Sequence, residues 1–268
     1  MTKLDAASAG WIVAAALVIN TSAQAFVFAV VPTVGRGIGL SELQTGAVLG
    51  LGALLGMLVA PAWGFASERF GRRPVLLTTM AGVVISPILW AIALGVTAGV
   101  LPLMFTFAFL IGARCVQAGF GAGLIPTAQA YFADVTTPGK RVAGMGMMSG
   151  SISLGTVAGS ALVWVFAGFG TVYGFAAMAT LAALTFAVAL MRLPEPTRPE
   201  TVEQDAHKIP FKTVWPYFVI TALGMTALGM VQPIVGLRFL DQFGLPSAQA
   251  IGQAGAVLTG TAVAMLFS

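Results

Sequence analysis

The sequence has very little charge. Its 13 Lys and Arg and 9 Asp and Glu residues make up 8% of 268 residues, against about 25% in an average soluble domain. Hydrophobic residues make up 58% of the chain, and the mean hydropathy is +0.94. A soluble fold would therefore lack the polar side chains needed to cover its surface. These figures exclude an ordinary water-soluble enzyme and predict a protein whose solvent is largely lipid.

Cysteine and histidine are also scarce, since Cys115 and His207 are the only ones. One cysteine excludes an intrachain disulfide and a Cys-based metal cluster. A membrane enzyme usually needs clustered acids or histidines for metal, acid or base chemistry, and the sequence holds no such cluster, so we predict neither an enzyme nor a cofactor or metal. The basic residues are scattered and form no stripe of the kind that binds nucleic acid.

Long apolar runs make up most of the chain. A helix that crosses a bilayer needs about 20 apolar residues. Eight runs reach this length, at about residues 6–31, 46–66, 74–99, 101–131, 142–169, 171–191, 214–236 and 248–268. Lys3 and the sequence Ala23-Gln24-Ala25 imitate a cleaved secretory signal, but the first run continues to Val31, which favours a retained helix. We predict an all-α integral membrane protein.

The basic residues indicate how these helices are oriented. With the N-terminus in the cytoplasm, ten basic residues lie inside, Arg36 and Arg238 lie outside, and Arg114 lies within a span. Cytoplasmic loops of membrane proteins carry the excess of Lys and Arg. We therefore predict a multi-pass protein with its N-terminus inside, located in a bacterial cytoplasmic (inner) membrane.

One charged, proline-containing segment divides the chain. Residues 192–212 hold eight charged residues and four prolines, which is typical of a polar linker. We predict an N-terminal six-helix transmembrane half at 1–191, a cytoplasmic linker at 192–213 and the start of a second transmembrane half at 214–268. Six helices, a long loop and further helices are typical of transporters with two six-helix halves. The sequence is thus expected to hold about eight of twelve helices, with the second half incomplete.

The loop between the second and third runs carries the most specific motif. Residues 64–74 read GFASERFGRRP. They resemble the Gly-x-x-x-Asp-Arg-x-Gly-Arg-Arg signature of the major facilitator superfamily, with Glu68 in place of Asp. The matching positions are Gly64, Glu68, Arg69, Gly71, Arg72 and Arg73. The same loop is similar to that of the drug and tetracycline proton antiporters of this superfamily.

The resemblance implies the major facilitator fold and a conformational latch at this loop. Glu68 would face a helix end of the second half, and Arg72 would pair with an acid at the end of the fourth helix, where Asp134 lies. The latch would hold the two halves in the outward-facing state and break as the protein turns inward. Alternatively, the arginines only hold the loop on the cytoplasmic side.

Arg114 is the one charge well inside a predicted span. A charged side chain there costs roughly 2.5 to 3.5 kcal/mol on insertion scales, so it usually faces a cavity or a satisfying partner. Arg114 and Gln117 resemble the Arg-x-x-Gln-Gly motif of the same superfamily, with Ala118 at the Gly position. In the first span, Asn20 and Gln24 share a helix face. We predict that these two residues, with Arg114 and Gln117, line a substrate cavity or serve coupling.

None of the nine acids lies in the middle of a predicted span. Asn20 stands where antiporters of the tetracycline type have Asp. Proton coupling normally needs a titratable group in the pathway, and an Arg stays charged. Three explanations stay open: the coupling acid lies in further sequence, the carrier is uncoupled, or Arg114 binds an anionic substrate.

The fifth span carries glycines that are four or five residues apart, Gly146, Gly150, Gly155 and Gly159. Small residues at this spacing allow helices to approach closely in a membrane. The region resembles an antiporter motif of the superfamily, but the Pro and the final Gly pair of that motif are absent. Helix packing is therefore the favoured interpretation.

We predict a secondary transporter that works by alternating access. It would export small amphipathic compounds or metabolites, with protons as the coupling ion. Its partners would be a small-molecule substrate and the lipid bilayer, without nucleic acid, and it would be a monomer. Alternatives are an uptake permease for an organic anion that uses Arg114, an inactive fragment, and a membrane enzyme.

Overall fold

Eight α-helices follow one another in the described part of the chain. The computed structural model describes residues 3–97, 100–136, 139, 141–196 and 211–265. The helices are α1 (Lys3–Gly37), α2 (Glu42–Phe70), α3 (Arg72–Ile92), α4 (Leu103–Val135), α5 (Arg141–Phe166), α6 (Thr171–Arg192), α7 (Phe211–Phe243) and α8 (Ser247–Met265). A π-helical segment, Ala93–Thr97, continues α3. Each predicted apolar run corresponds to one of these helices within the described residues, and the prediction of an all-α membrane fold is confirmed.

Three of the helices, α1, α2 and α7, extend beyond the predicted apolar runs at both ends. Six helices, α1 to α6, are long and apolar enough to cross a membrane, judged on the described residues. The 35 residues of α1 span about 52 Å at a rise of 1.5 Å per residue, more than a hydrocarbon core of about 30 Å. A helix can continue past the bilayer because it satisfies its own backbone groups in lipid and in water alike. Charged side chains such as Arg36 lie in these extensions. Within the predicted linker, residues 197–210 lie outside the described residues.

Short turns connect neighbouring helices and reverse their direction. Ser41 caps α2, because its Oγ accepts the backbone N–H of Gln44 while the Gln44 side chain accepts the N–H of Ser41, an arrangement known as a capping box. Gly71 joins α2 to α3 with φ +101°, which an L side chain rarely adopts. We call the end of the bundle that holds Gly71 the motif end, and the opposite end the distal end.

The helices pack in pairs along their lengths. α1 lies along α5, and α2 lies along α4. α3 packs against both α4 and α6, while α8 packs against α5, and α7 contacts α1 and α8. α1 also contacts α2 and α4.

The core has two apolar clusters, one above the other. The distal cluster contains Phe26, Trp90 and Phe175, with the Phe26 and Phe175 rings edge to face at 4.8 Å, a preferred aromatic geometry. The cluster nearer the motif end contains Leu17 and Tyr131. Along α1, Asn20 lies between residues of the two clusters, and along α4 the same is true of Arg114 and Gln117.

Candidate functional site

The structure places all four predicted cavity residues on one small cavity between α1, α2 and α4. Asn20, Gln24, Arg114 and Gln117 line this cavity, whose volume is about 290 Å³. We call it the inner cavity. Asn20 is 5% exposed, Arg114 3% and Gln117 5%. Polar groups from α1 and α4 thus converge in a cavity next to the apolar core clusters, which is typical of a ligand site.

Arg114 is held by one hydrogen bond and one aromatic ring. Its Nη1 donates to Gln117 Oε1 at 3.1 Å, and its guanidinium carbon lies 5.1 Å from the centre of the Phe28 ring, within the range of a cation–π interaction. Gly52 of α2 makes room for the side chain, because a Cβ at that position would lie 2.9 Å from Arg114 Nε. The glycine in α2 therefore accommodates the arginine of α4.

Gln117 connects Arg114 to the distal core. Its Oε1 also accepts the indole N–H of Trp90 at 3.2 Å, and the Trp90 ring stacks on Phe175 at 5.9 Å. With both hydrogen bonds going to Oε1, the buried Gln117 Nε2 has no partner among the described residues, and neither has Arg114 Nε. Two residues of the inner cavity lining thus each carry a buried N–H donor that the described part of the protein does not satisfy.

A larger cavity of about 1000 Å³ adjoins the inner one. The two share lining residues from three helices, Gln24, Phe28, Ala53 and Ile125. The larger cavity is lined mainly by apolar side chains of α1, α2, α5 and α7, and its uncharged polar lining residues are Thr21, Gln24, Thr45, Thr156 and Gln232. Together the cavities form a mostly apolar space with a polar, positively charged end.

Charged residues line the larger cavity at its distal end. Arg36 of α1 forms an ion pair with Glu42 of α2 at 2.6 Å and a second one with Asp241 of α7. Arg36 and Glu42 both belong to the cavity lining. The pair with Asp241 joins α7 to the first six helices, and no local pattern in the sequence indicates it.

At the motif end, Arg72 contacts the acid that the motif resemblance implied. Arg72 Nε donates to Asp134 Oδ2 at 3.0 Å, and Nη1 donates to Ser67 Oγ at 2.7 Å. The side chains of Arg72 and Asp134 are 15% and 16% exposed, so water screens this pair only partly. Arg69 lies over the Phe70 ring at 5.5 Å, and Glu68 is exposed. The motif loop is thereby tied to the end of α4.

Glu195 and Arg73 join the motif loop to the end of α6. The Glu195 carboxylate accepts the backbone N–H groups of Arg72 and Arg73 at 2.7 and 2.9 Å, so it caps the start of α3 and interacts favourably with the helix dipole. Arg73 donates in return to the carbonyls of Leu193 and Leu190 at 2.7 and 3.0 Å, at the end of α6. The carboxylate that follows α6 thus satisfies backbone N–H groups at the start of α3, and Arg73 at the start of α3 satisfies carbonyls at the end of α6.

Sequence reasoning counted Glu195 only as one of the linker charges. Its partners are more than 120 residues away in the chain, and no local pattern indicates such a contact. Gly71 is the one related signal. A Cβ there would lie 2.7 Å from Glu195 Oε1, so the glycine of the motif provides both the turn and the space for this carboxylate.

We expect Glu195→Gln to lower the free energy of unfolding by about 1 kcal/mol, the usual effect of losing a helix cap. The amide keeps one acceptor oxygen but loses the charge that favours the start of α3. Thermal unfolding of the purified chain in detergent measures the change, with Thr180→Ala on the exposed face of α6 as the control. Equal midpoints for both variants would show that the cap does not contribute to stability.

The four glycines of α5 differ in what surrounds them. A Cβ at Gly155 would lie 2.5 Å from the carbonyl oxygen of Val18, and one at Gly159 would lie 2.8 Å from Ser22 Cα. At Gly146 and Gly150, an added Cβ would meet nothing within 4 Å. The close approach of α5 to α1 therefore depends on Gly155 and Gly159, and the packing expected of Gly146 and Gly150 is absent in the described structure.

The chain is similar in sequence to several known proteins. The model of the Major Facilitator Superfamily matches residues 12–268. A triacylglyceride transporter of Mycobacteroides abscessus is 26% identical over 86% of this chain and 40% of its own length. Multidrug resistance protein 1 of Bacillus subtilis is 27% identical over 87% of this chain and 59% of its own length. The chain thus spans between two fifths and three fifths of these relatives.

The same fold occurs in a solved structure. The crystal structure of a bacterial homologue of the human lysosomal transporter Spinster, in an inward-facing and unoccupied conformation, has a TM-score of 0.72 with this chain at 16% identity. The match covers 97% of this chain and 60% of that one. At this identity the likeness concerns the fold.

Proposed function

The chain belongs to the Major Facilitator Superfamily, as its motif loop predicted, and we propose that it exports small amphipathic compounds by alternating access. The observation that carries this proposal is the pair of joined cavities, one large and mostly apolar, the other small and lined by buried polar groups. Apolar walls with a few placed polar groups suit compounds that have both characters. Similarity to a triacylglyceride transporter and to a multidrug resistance protein also favours apolar or amphipathic cargo.

Filling the larger cavity tests this proposal. Gly50 lines that cavity, and an added Cβ there meets nothing within 4 Å, so Gly50→Trp places a ring in the cavity without moving a helix. We expect binding of an amphipathic fluorescent dye to weaken about tenfold, which corresponds to about 1.4 kcal/mol. The measurement is dye binding and dye export in proteoliposomes that contain the full chain.

Gly112→Trp is the matched control. Gly112 is also an exposed helical glycine with open space around its Cβ position, but it lies on α4 away from both cavities. Export that Gly112→Trp leaves unchanged and Gly50→Trp reduces would support the cavity as the substrate path. Equal export by the two variants would contradict it.

We also propose that the motif loop acts as a conformational latch. Arg72 and Asp134 fix the loop to α4, while Arg73 and Glu195 fix it to the end of α6. Glu68 is exposed on the same loop and would face the second half of the transporter. Helices α1 to α6 would then be the N-terminal half (1–191), followed by the linker (192–213) and the start of the second half (214–268).

Proton exchange, direction and location are the remaining parts of the proposal. Outward transport in exchange for protons would take place in a bacterial cytoplasmic membrane, by a monomer whose N-terminus is inside. Glu42 is the carboxylate that lines the larger cavity in the described part of the chain. A pH gradient across the proteoliposome membrane should speed export. Anion uptake that does not depend on the pH gradient but does depend on Arg114 would instead favour the alternative, an uptake permease.

A further inference from the structure

Two residues that line the inner cavity, Arg114 and Gln117, each carry a buried hydrogen-bond donor without an acceptor in the described structure. Arg114 Nε and Gln117 Nε2 are both buried, and neither has a hydrogen-bond partner among the described residues. The nearby acceptor, Gln117 Oε1, already receives N–H groups from Arg114 and Trp90. An unpaired buried donor is unfavourable, most of all when it is charged. A ligand that brings acceptor oxygens into this cavity would remove that deficit.

No carboxylate in the described part of the chain balances the charge of Arg114. The ion pairs found there join Arg36 to Glu42 and Asp241, and Arg72 to Asp134. The lining of the inner cavity contains neither Asp nor Glu. The Phe28 ring interacts with the guanidinium but carries no net charge. Because Arg114 is 3% exposed, water screens its field weakly, and a negative group that enters the cavity would experience it strongly.

The shape of the two cavities separates a charged part of a ligand from an apolar part. Gln24 and Phe28 line both cavities, so one molecule could extend from one into the other. The inner cavity, at about 290 Å³, has room for a small charged group. The larger one, at about 1000 Å³, has room for a sizeable apolar body.

We propose that Arg114 and Gln117 bind the anionic group of an amphipathic substrate, a carboxylate or a similar oxyanion, whose apolar body occupies the larger cavity. The planar guanidinium matches carboxylate geometry, and the Gln117 amide supplies a second donor. This inference rests on the proposed function and deepens it, because it assigns a negative charge to the exported compounds.

The test compares a fluorescently labelled medium-chain fatty acid with its primary amide, which has nearly the same shape but no charge. Equilibrium binding to the full chain in detergent is the first measurement, and export from proteoliposomes is the second. We expect the acid to bind about tenfold more tightly than the amide, a difference of about 1.4 kcal/mol. A cationic analogue with the same chain should bind more weakly than either.

Two variants test the residues. Arg114→Gln should remove the preference, so that the acid and the amide bind with similar affinity. Gln117→Glu is nearly isosteric, and its carboxylate would accept the hydrogen bonds of both Trp90 and Arg114. Its negative charge would balance the positive charge of Arg114 inside the protein. We expect Gln117→Glu to stay folded, with an unchanged unfolding midpoint, and to lose the preference as well. Arg238→Gln, which removes an exposed arginine at the distal end of α7, is the matched control and should keep it.

The outcomes separate this inference from the proposed function. Equal binding of acid and amide, or a preference that persists in folded Gln117→Glu, would overturn the anion site. If the amide or the cation is nevertheless exported and Gly50→Trp blocks this, export of amphipathic compounds stands without the anion site. If none of the three compounds is bound or exported, both proposals are contradicted.

Discussion

Replacing Arg72 by Gln is expected to reduce transport more than any other change in the motif loop. The substitution leaves Asp134, whose side chain is 16% exposed, without its ion-pair partner, and removes the hydrogen bond to Ser67. Breaking one partner of a buried pair costs about 3 kcal/mol or more, and the remaining exposure of this pair lowers that figure to about 2 kcal/mol. If the latch sets the balance between two states, 2 kcal/mol shifts their ratio about thirtyfold.

A double-mutant cycle with Asp134→Asn measures the coupling itself. Because both single changes remove the same contact, the double variant should lose little more than either single variant. Exchanging the charges, with Arg72→Asp and Asp134→Arg together, should restore part of the transport. Arg141→Gln is the control, since Arg141 is an exposed arginine at the same end of the bundle. Additive effects in the cycle, or an equal loss in Arg141→Gln, would argue against the pair as a unit.

Gly159→Ala is expected to destabilise the chain strongly. A Cβ at this position would lie 2.8 Å from Ser22 Cα and still closer to the Ser22 carbonyl oxygen. These are backbone atoms of α1, so relief requires that α5 move away from α1. Overpacking of this kind costs about 1 to 3 kcal/mol. For a chain of this size, that lowers the unfolding midpoint by roughly 2 to 12 °C.

Gly150→Ala is the matched control on the same helix. Its added Cβ would meet nothing within 4 Å, and replacing a helical glycine by alanine gains about 0.5 to 1 kcal/mol. The two alanine variants should therefore shift the unfolding midpoint in opposite directions. Equal midpoints would mean that the close approach of α1 and α5 does not limit stability. A cavity-lining glycine such as Gly50 should behave like Gly150.

The candidate site was partly predictable because two of its features are local. Asn20 and Gln24 interrupt an apolar helix at a spacing of one turn, and Arg114 and Gln117 do the same on α4. Polar groups in a lipid-solvated helix are expected to face a cavity, and the structure places all four on the inner cavity. What the spacing could not show is that Gln117 Oε1 is shared by Trp90 and Arg114, since Trp90 belongs to α3.

The contacts that the sequence did not predict join distant parts of the chain. Glu195 follows α6 in a polar stretch and caps α3, and Asp241 at the end of α7 pairs with Arg36 of α1. The glycines show the same limit. Gly52 makes room for Arg114, whereas Gly146 and Gly150, at an ideal packing spacing, have nothing within 4 Å of an added Cβ. A glycine's role depends on which helix lies opposite, and spacing alone does not decide that.

The sequence alone determined that this is a membrane protein, where its eight described helices lie and to which family it belongs. Each of these follows from a local pattern: the length of the apolar runs, the scarcity of charge and the motif in one loop. Tertiary structure decided which helices adjoin, and with that the joined cavities, the unpaired donors of Arg114 and Gln117 and the ties between the motif loop and α6. The physical reason is that in lipid nearly every helix face is apolar. The hydrophobic pattern therefore shows where helices begin and end, but packing and hydrogen bonding between helices select their partners.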